Sequence, residues 1–414
     1  MKVLLINNFH YRKGGSETVY FNTGRLLEAA GHTVVWFSLQ DPKNLDCGQA
    51  GDFAKRGGNL FTKLRNYFYN RDVARRLDAL LEREHPDIAH VHLLWGGVGA
   101  AIFEPLRRHG VPLVHTVHDY RMVCPAYTFR NGLGAVCEAC SEGDWRPCLK
   151  NRCAGGSRLR SYLMMREMQL RQKKYHPLRN IDGFIFVSQF CRAKHIEKNP
   201  GFAKAYSTVI YNTVPDLPAQ LGMAALPPRG DYLLYYGRLS HEKGVETLIE
   251  AVTARPELQV KIVGTGPLEA QLRSRVAAAG ARNIEFLGFH SGEELYRLVA
   301  GASFVVVPSE WYENNPMTVI ESYALGRPVI GAAIGGIPEI VREGETGWLF
   351  SSGDPQSLGG VLDEAAKLPE ADYAAISAAA HRFYAANFSE AEHSRALLAF
   401  YDTVLQNAKR HESQ

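Results

Sequence analysis

FVVVPSEWYENNPMTVIESYALG, residues 304–326, reads as a strand, a polar loop and a helix in immediate succession. Phe304–Ser309 is apolar without alternation, as a strand buried on both faces requires. The loop then offers Glu313, Asn314 and Asn315, and Pro316 suits the first helical position, where its missing N–H costs nothing. Asn315 is placed to cap a helix that starts at Pro316, runs through Met317 to Leu325 and carries Glu321. A strand, a loop and a helix N-terminus form the arrangement in which unpaired N–H groups and the helix dipole collect an anion. Glu313 and Glu321 are spaced too widely for a paired acid/base site on one helix face, and are placed to hold two parts of one ligand. A lone glutamate is more often a solvated surface residue, so this reading depends on partners elsewhere in the chain.

The same rhythm extends outward. Tyr232–Gly237, Gln259–Gly264, Asn283–Leu287 and Pro328–Gly331 read as further strands, with helices near Glu246–Thr253, Leu268–Ala279, Glu293–Ala300, Pro355–Ala366 and Tyr373–Ala386. In the first half, Val3–Ile6, Val34–Ser38, Asp87–Leu93, Pro112–His118 and Gly183–Ser188 read as strands, with helices near Glu17–Ala30, Asp72–Glu84 and Val98–Arg108. Strands without strict alternation, separated by helices, imply parallel sheets covered on both faces. The fold class is therefore α/β, with two Rossmann-like, doubly wound domains facing across a cleft. Proline-rich Tyr211–Gly230 is the expected linker. The expected domains are 1–211 and 212–387, with 388–414 forming a last helix that crosses back to the first domain. Ligands would bind at the carboxyl ends of both sheets.

A chain of 414 residues exceeds what one hydrophobic core usually serves, in agreement with two domains. A net charge of +4 is only mildly basic; it gives no case for nucleic acid and is compatible with a phosphate-bearing ligand or an anionic membrane face. MKVLLINNF reads as a first strand, being too short for the apolar core of a signal peptide, and no run of about eighteen apolar residues could span a bilayer. The expected location is the cytoplasm, in peripheral contact with the inner face of a membrane.

Other strand ends carry chemistry. Gly14-Gly15 precede a helix opening at Ser16 and Glu17, although the spacing is neither a P-loop nor GxGxxG. His118-Asp119 follow the fourth strand, where a ligand would be met. Arg238 and Lys243 flank a strand-to-helix turn and make a clamp for a diphosphate, the Arg as a fork and the Lys as a point charge. Gly264 and Gly266, followed by Pro267, allow close backbone contact with a ligand, and His290 could wall a base.

Arg238 and Lys243, Gly264-x-Gly266-Pro267 and Glu313-x7-Glu321, in that order, resemble the donor half of family 4 glycosyltransferases, which have the GT-B fold. Gly14-Gly15, His118-Asp119 and Val187-Ser188 resemble that family's acceptor half, so the resemblance covers nearly the whole chain. It implies a retaining transferase that moves a sugar from a nucleotide-diphosphate sugar, such as a UDP- or GDP-sugar, to a carbohydrate or lipid-linked acceptor in surface polysaccharide or glycolipid synthesis. Arg238 and Lys243 would bind the diphosphate, Glu321 the ribose, and Glu313 the hydroxyls of the sugar. Backbone N–H groups from Asn314 through Asn315 and Pro316 to Met317 would meet sugar and phosphate, Gly15 would approach the diphosphate, and His118 would face the transferred sugar. One departure is that Asn314-Asn315 stand where many relatives have Phe-Gly. With Arg and Lys neutralising the diphosphate, no catalytic metal is expected, and the sequence holds no Asp-x-Asp motif.

Between the fourth and fifth strands lies a cysteine-rich insertion, residues 121–157. Its spacing, Cys137-x2-Cys140-x7-Cys148-x4-Cys153 with Cys124 to spare, predicts a structural zinc site, since close thiolate pairs suit tetrahedral zinc and cytosolic disulfides are disfavoured. Free thiols, disulfides and an iron–sulfur cluster are the other outcomes. The following SRLRSYLMMREMQLRQKKYHPLR, residues 157–179, would be a basic amphipathic helix, suited to anionic lipid or simply packed on the sheet with its basic side in solvent. Two other functions stay open: a GT-B relative of different chemistry, such as a nucleotide-sugar epimerase or a phosphorylase, and a non-enzymatic zinc-stabilised binding module.

Overall fold

The computed structural model describes residues 1–412. Met1–Ile210 together with the residues from Ser394 onward form one compact unit, and Tyr211–His393 form the other.

Each unit is built on a six-stranded parallel sheet. In the first, β1 (Lys2–Ile6), β2 (Thr33–Phe37), β3 (Ile88–Val91), β4 (Leu113–Val117), β5 (Gly183–Phe186) and β6 (Ser207–Val209) lie in the order β2-β1-β3-β4-β5-β6. In the second, β7 (Tyr232–Tyr236), β8 (Gln259–Val263), β9 (Ile284–Gly288), β10 (Ala302–Val307), β11 (Val329–Ala332) and β12 (Gly347–Phe350) lie in the order β12-β11-β10-β7-β8-β9. The strand order reverses between β1 and β3 and again between β7 and β10, and such switch points are where doubly wound sheets open a crevice for ligand.

The apolar runs are strands because both of their faces are covered. Along β7 and β10, Leu234, Tyr236, Val305 and Val307 join one apolar cluster, while Leu233, Tyr235, Phe304 and Val306 join another. Each such side chain, fully buried, stabilises the fold by roughly 1.5–3 kcal/mol. In the first unit, Gly183 lets the last helix, Glu390–Glu412, lie close: a Cβ there would sit 2.8 Å from Phe400. Tyr401 Oη from that helix lies 2.6 Å from His90 Nδ1, and Thr116 Oγ1 lies 2.6 Å from His90 Nε2.

Several expectations need correction. β6 and β12 were absent from the sequence reading; each is only three or four residues long and partly exposed. The proline-rich stretch is not a loose linker. Fully buried Arg327 donates to the carbonyls of Pro227, Pro228 (2.8 Å) and Ala302 (2.9 Å), which straps that stretch to the second unit.

The zinc site expected from Cys137, Cys140, Cys148 and Cys153 is also corrected, because no group of three or more His, Cys, Asp or Glu among the described residues is arranged to hold a metal ion. Cys140 and Cys148 instead pack as small apolar side chains with Trp145, Met165 and Met168, with Cys153 against them, and none of the seven cysteines forms a disulfide. The helix after the insertion, Arg158–Lys174, buries Met165 and Met168 but turns Leu159 and Tyr162 outward. It therefore carries apolar residues on both faces and is not the simple amphipathic helix expected.

Candidate active site

The second unit gathers its polar groups at the switch between β7 and β10. After β7 the chain makes a short turn, His241–Lys243, and Gly244 follows with φ +64. A Cβ on Gly244 would lie 1.8 Å from the Pro308 carbonyl oxygen, so only glycine lets this turn press against the end of β10. That contact delivers Lys243 to Glu313: Lys243 Nζ donates to Glu313 Oε1 at 2.5 Å, and the Ser309 hydroxyl donates to the same oxygen at 2.9 Å. Burial pushes the Glu313 carboxyl up, but Lys243 and Ser309 outweigh it and hold the group below its ordinary value. Glu313 is thus a buried carboxylate, ionised at neutral pH, with its charge already answered.

Gly335-Gly336, which the sequence reading passed over, cradle this loop. Cβ atoms there would lie 2.6 Å from the Glu313 backbone nitrogen and 2.0 Å from the Asn314 carbonyl oxygen, and the Gly336 N–H donates to the Glu313 carbonyl at 2.7 Å. The signal present in the sequence was the Gly-Gly pair itself, as at Gly14-Gly15.

Asn315 does not cap the following helix. That helix spans Met317–Ala324, with Pro316 in the capping position and no side-chain cap bond. Asn315 Oδ1 instead accepts from the Asn212 N–H at 2.7 Å, and its carbonyl accepts from Asn212 Nδ2 at 3.0 Å. A tertiary partner has displaced the local cap, and the helix N-terminus is left without a side-chain acceptor. One turn along, burial raises the half-buried Glu321 carboxyl to about 7, with the Tyr236 hydroxyl beside it. Arg238 is exposed and forms no ion pair among the described residues.

Gly264 and Gly266 serve a close approach between two loops. A Cβ on Gly264 would lie 1.9 Å from the Gly237 carbonyl oxygen, and one on Gly266 would lie 2.2 Å from that of Leu239. They let the loops after β7 and β8 close on each other, which fixes the base of the Arg238 turn. His290 is held by the Leu287 carbonyl at 3.2 Å and by Glu294 at 3.3 Å. Beside it Phe289, 72% exposed, is a flat apolar surface that the sequence reading missed.

In the first unit, Gly15 opens the helix Gly15–Ala29, and Glu17 is buried in its first turn, its carboxyl raised by burial. His118 Nε2 lies 3.0 Å from His92 Nδ1, the two rings stacked at 5.2 Å. Burial pulls the His118 ring down to about 3, so it is neutral at physiological pH. Asp119 orients the next turn by accepting from the Arg121 N–H at 2.9 Å and Nε at 3.0 Å. That turn is braced from the Arg158–Lys174 helix. Arg171 stacks 3.8 Å over Trp95, pairs with Glu167 and donates to the Arg121 carbonyl.

Residues 13–216 match the family described as Glycosyltransferase Family 4, and residues 223–382 match Glycosyl transferases group 1. The chain belongs to glycosyltransferase family 4. A Klebsiella pneumoniae protein described as an uncharacterized 42.6 kDa protein in the cps region is 23% identical over 370 residues, 83% of this chain and 88% of that protein. The alpha-D-kanosaminyltransferase of Streptomyces kanamyceticus is 27% identical over 318 residues, 70% of this chain and 75% of that one. Among solved structures, Anabaena HepE in complex with UDP and glucose matches with TM-score 0.68 at 18% identity, covering 97% of this chain and 100% of that one. At that identity the likeness carries the GT-B fold of the family and nothing finer.

Proposed function

We propose that this family 4 glycosyltransferase transfers a sugar from a nucleotide-diphosphate sugar to a carbohydrate or lipid-linked acceptor, with retention of anomeric configuration. The observation that carries the reading is the group at the switch between β7 and β10: an ionised Glu313 held by Lys243, an exposed Arg238, and a helix N-terminus without a side-chain cap. Arg238, Lys243 and the first N–H groups of the helix Met317–Ala324 hold the diphosphate, whose charge grows as the sugar–phosphate bond breaks. Glu313 accepts from the hydroxyls of the donor sugar. Glu321 accepts from the ribose hydroxyls, and Phe289 or His290 flanks the base. The solved complex of HepE with UDP and glucose supports a nucleotide sugar as donor.

The acceptor hydroxyl attacks the anomeric carbon from the face the diphosphate leaves. Its proton passes to a phosphate oxygen of the leaving group, which Arg238 and Lys243 hold in place. His118, neutral, orients the sugar and takes no proton. The kanosaminyltransferase supports a sugar as the group transferred, and the cps-region relative favours surface polysaccharide synthesis as the process. A cytoplasmic site of action follows from the donor, and a lipid-linked acceptor would bring the protein to the inner face of a membrane. Among the described residues no helix is long and apolar enough to cross one.

A thermal-shift screen of nucleoside diphosphates tests the donor site, because a ligand that binds only the folded state raises the melting temperature. A shift with UDP or GDP, abolished in Arg238→Ala, is expected. Absence of a shift with every nucleoside diphosphate would overturn the reading.

A further inference from the structure

Between residues 129 and 170 the chain carries four acidic residues, and each pairs with a basic residue other than Lys150, Arg152, Arg158 and Arg160. Glu138 pairs with Lys194 and Lys198, Asp144 with Arg146, Glu142 with His176, and Glu167 with Arg171. Four other cations have no such partners among the described residues. Lys150, Arg152, Arg158 and Arg160 are all exposed, and none forms an ion pair among the described residues.

Apolar side chains stand among these cations. Leu133 is 94% exposed and Leu159 69% exposed, with Tyr162 beside Leu159 one turn along the helix. Leu133 is not a stray residue of a floppy loop. Asn131 Oδ1 accepts from the Leu133 N–H at 2.9 Å and the Ala135 N–H at 3.1 Å, so the turn that presents the leucine is tied at both ends. The Gly132 N–H donates to the Asn151 carbonyl at 2.9 Å, and the Gly156 N–H donates to the Arg152 carbonyl at 3.0 Å. Ser157 then caps the helix that carries Leu159 and Tyr162. A short series of backbone bonds therefore brings the leucine turn, the free cations and the outward apolar face of the helix to one end of the insertion.

Single exposed leucines are ordinary, but an apolar cluster among unanswered cations marks a surface built for a partner. We propose that this tip docks on an anionic lipid surface, the leucines and Tyr162 entering the headgroup region and the four cations meeting lipid phosphates. Charge complementarity selects this occupant: apolar insertion beside basic residues is how a peripheral protein holds to such a bilayer. The inference goes beyond the transfer reaction and does not depend on the assignment of the donor site.

The test uses the full chain, without donor or acceptor, sedimented with vesicles of phosphatidylcholine alone or of phosphatidylcholine mixed with phosphatidylglycerol. Binding is expected only with the mixed vesicles, and it falls as salt rises because the attraction is screened over about 8–10 Å. Arg152→Gln with Arg158→Gln should lower that binding roughly tenfold or more. Leu133→Ser with Leu159→Ser should also lower it, and both pairs lie on the surface, so the melting temperature should stay at the wild-type value. Absence of vesicle binding, equal binding to the two lipid mixtures, or wild-type binding by both variants would overturn the proposal, the first result pointing to an acidic protein as the partner.

Discussion

Lys243 Nζ lies 2.5 Å from Glu313 Oε1, although the two residues are separated by 70 positions and stand on the loops after β7 and β10. The cation proposed for the diphosphate and the carboxylate proposed for the sugar are thus in direct contact. A donor bridging them would meet a site whose charges are paired in its absence, so little charge needs to be desolvated anew on binding.

Arg238 and Lys243 should therefore separate in their effects. Arg238→Ala removes an exposed, unpaired cation and should leave the melting temperature unchanged while lowering kcat/KM by about 2 to 4 kcal/mol in transition-state terms. Lys243→Ala should lose comparable activity and in addition destabilise the fold by about 2 kcal/mol, less than for a fully buried pair because its side chain is 28% exposed. Melting curves of the two variants, beside their steady-state kinetics, check this. Equal stability in both would show that the ion pair contributes nothing to the fold.

The same pair gives an acid-stability signature. Glu313 titrates below its ordinary value in the folded protein, so its contribution is present above the unfolded value and is lost as pH falls through the folded one. Melting temperature followed downward from pH 5 should fall less steeply in Lys243→Ala than in the wild type, since that variant has already lost the interaction. Parallel curves would contradict the assignment.

Glu321 should titrate in the opposite sense. Its carboxyl is raised to about 7 by burial, so near neutral pH part of it is protonated and a poorer acceptor for ribose hydroxyls. Affinity for a nucleoside diphosphate should rise between pH 6 and pH 8, about the midpoint near 7, and Glu321→Gln should flatten that rise. Titration calorimetry at several pH values measures it, and an unchanged slope in the variant would assign the titration to another group.

Arg171 links the Arg158–Lys174 helix to the His118 turn through Trp95 and the Arg121 carbonyl. Arg171→Ala should lower kcat with acceptor on the order of 10- to 100-fold by letting that turn shift, with the donor KM unchanged. Glu167→Gln keeps Arg171 over Trp95 and should stay close to wild type. If Arg171→Ala changes donor KM and kcat alike, the helix does not act through the acceptor side.

The strand, loop and helix around Glu313 were legible because the strand is buried on both faces and the proline marks the helix start; both signals are local. Asn315 was misread for the same reason. An asparagine before Pro316 looks like a cap, and only the fold reveals Asn212 as its partner. The contact of Lys243 with Glu313 depends on Gly244 fitting against Pro308, a backbone contact no spacing rule predicts. Gly264 and Gly266 were legible as close-approach positions, and the structure adds the neighbouring loop as a group that approaches them. The cysteines were read from spacing alone, whereas their packing with Trp145 and Met168 depends on a helix further along the chain.

The most direct test of the account is the anomeric configuration of the product, read from the proton NMR coupling at the new glycosidic centre after reaction with an α-linked nucleotide sugar. The account predicts an α-linked product, because the charged groups at the switch point serve the leaving diphosphate, and Glu313, held by Lys243 and Ser309, is committed to the sugar's hydroxyls. A β-linked product would require a general base on the opposite face. It would contradict the roles given to Glu313 and His118 together.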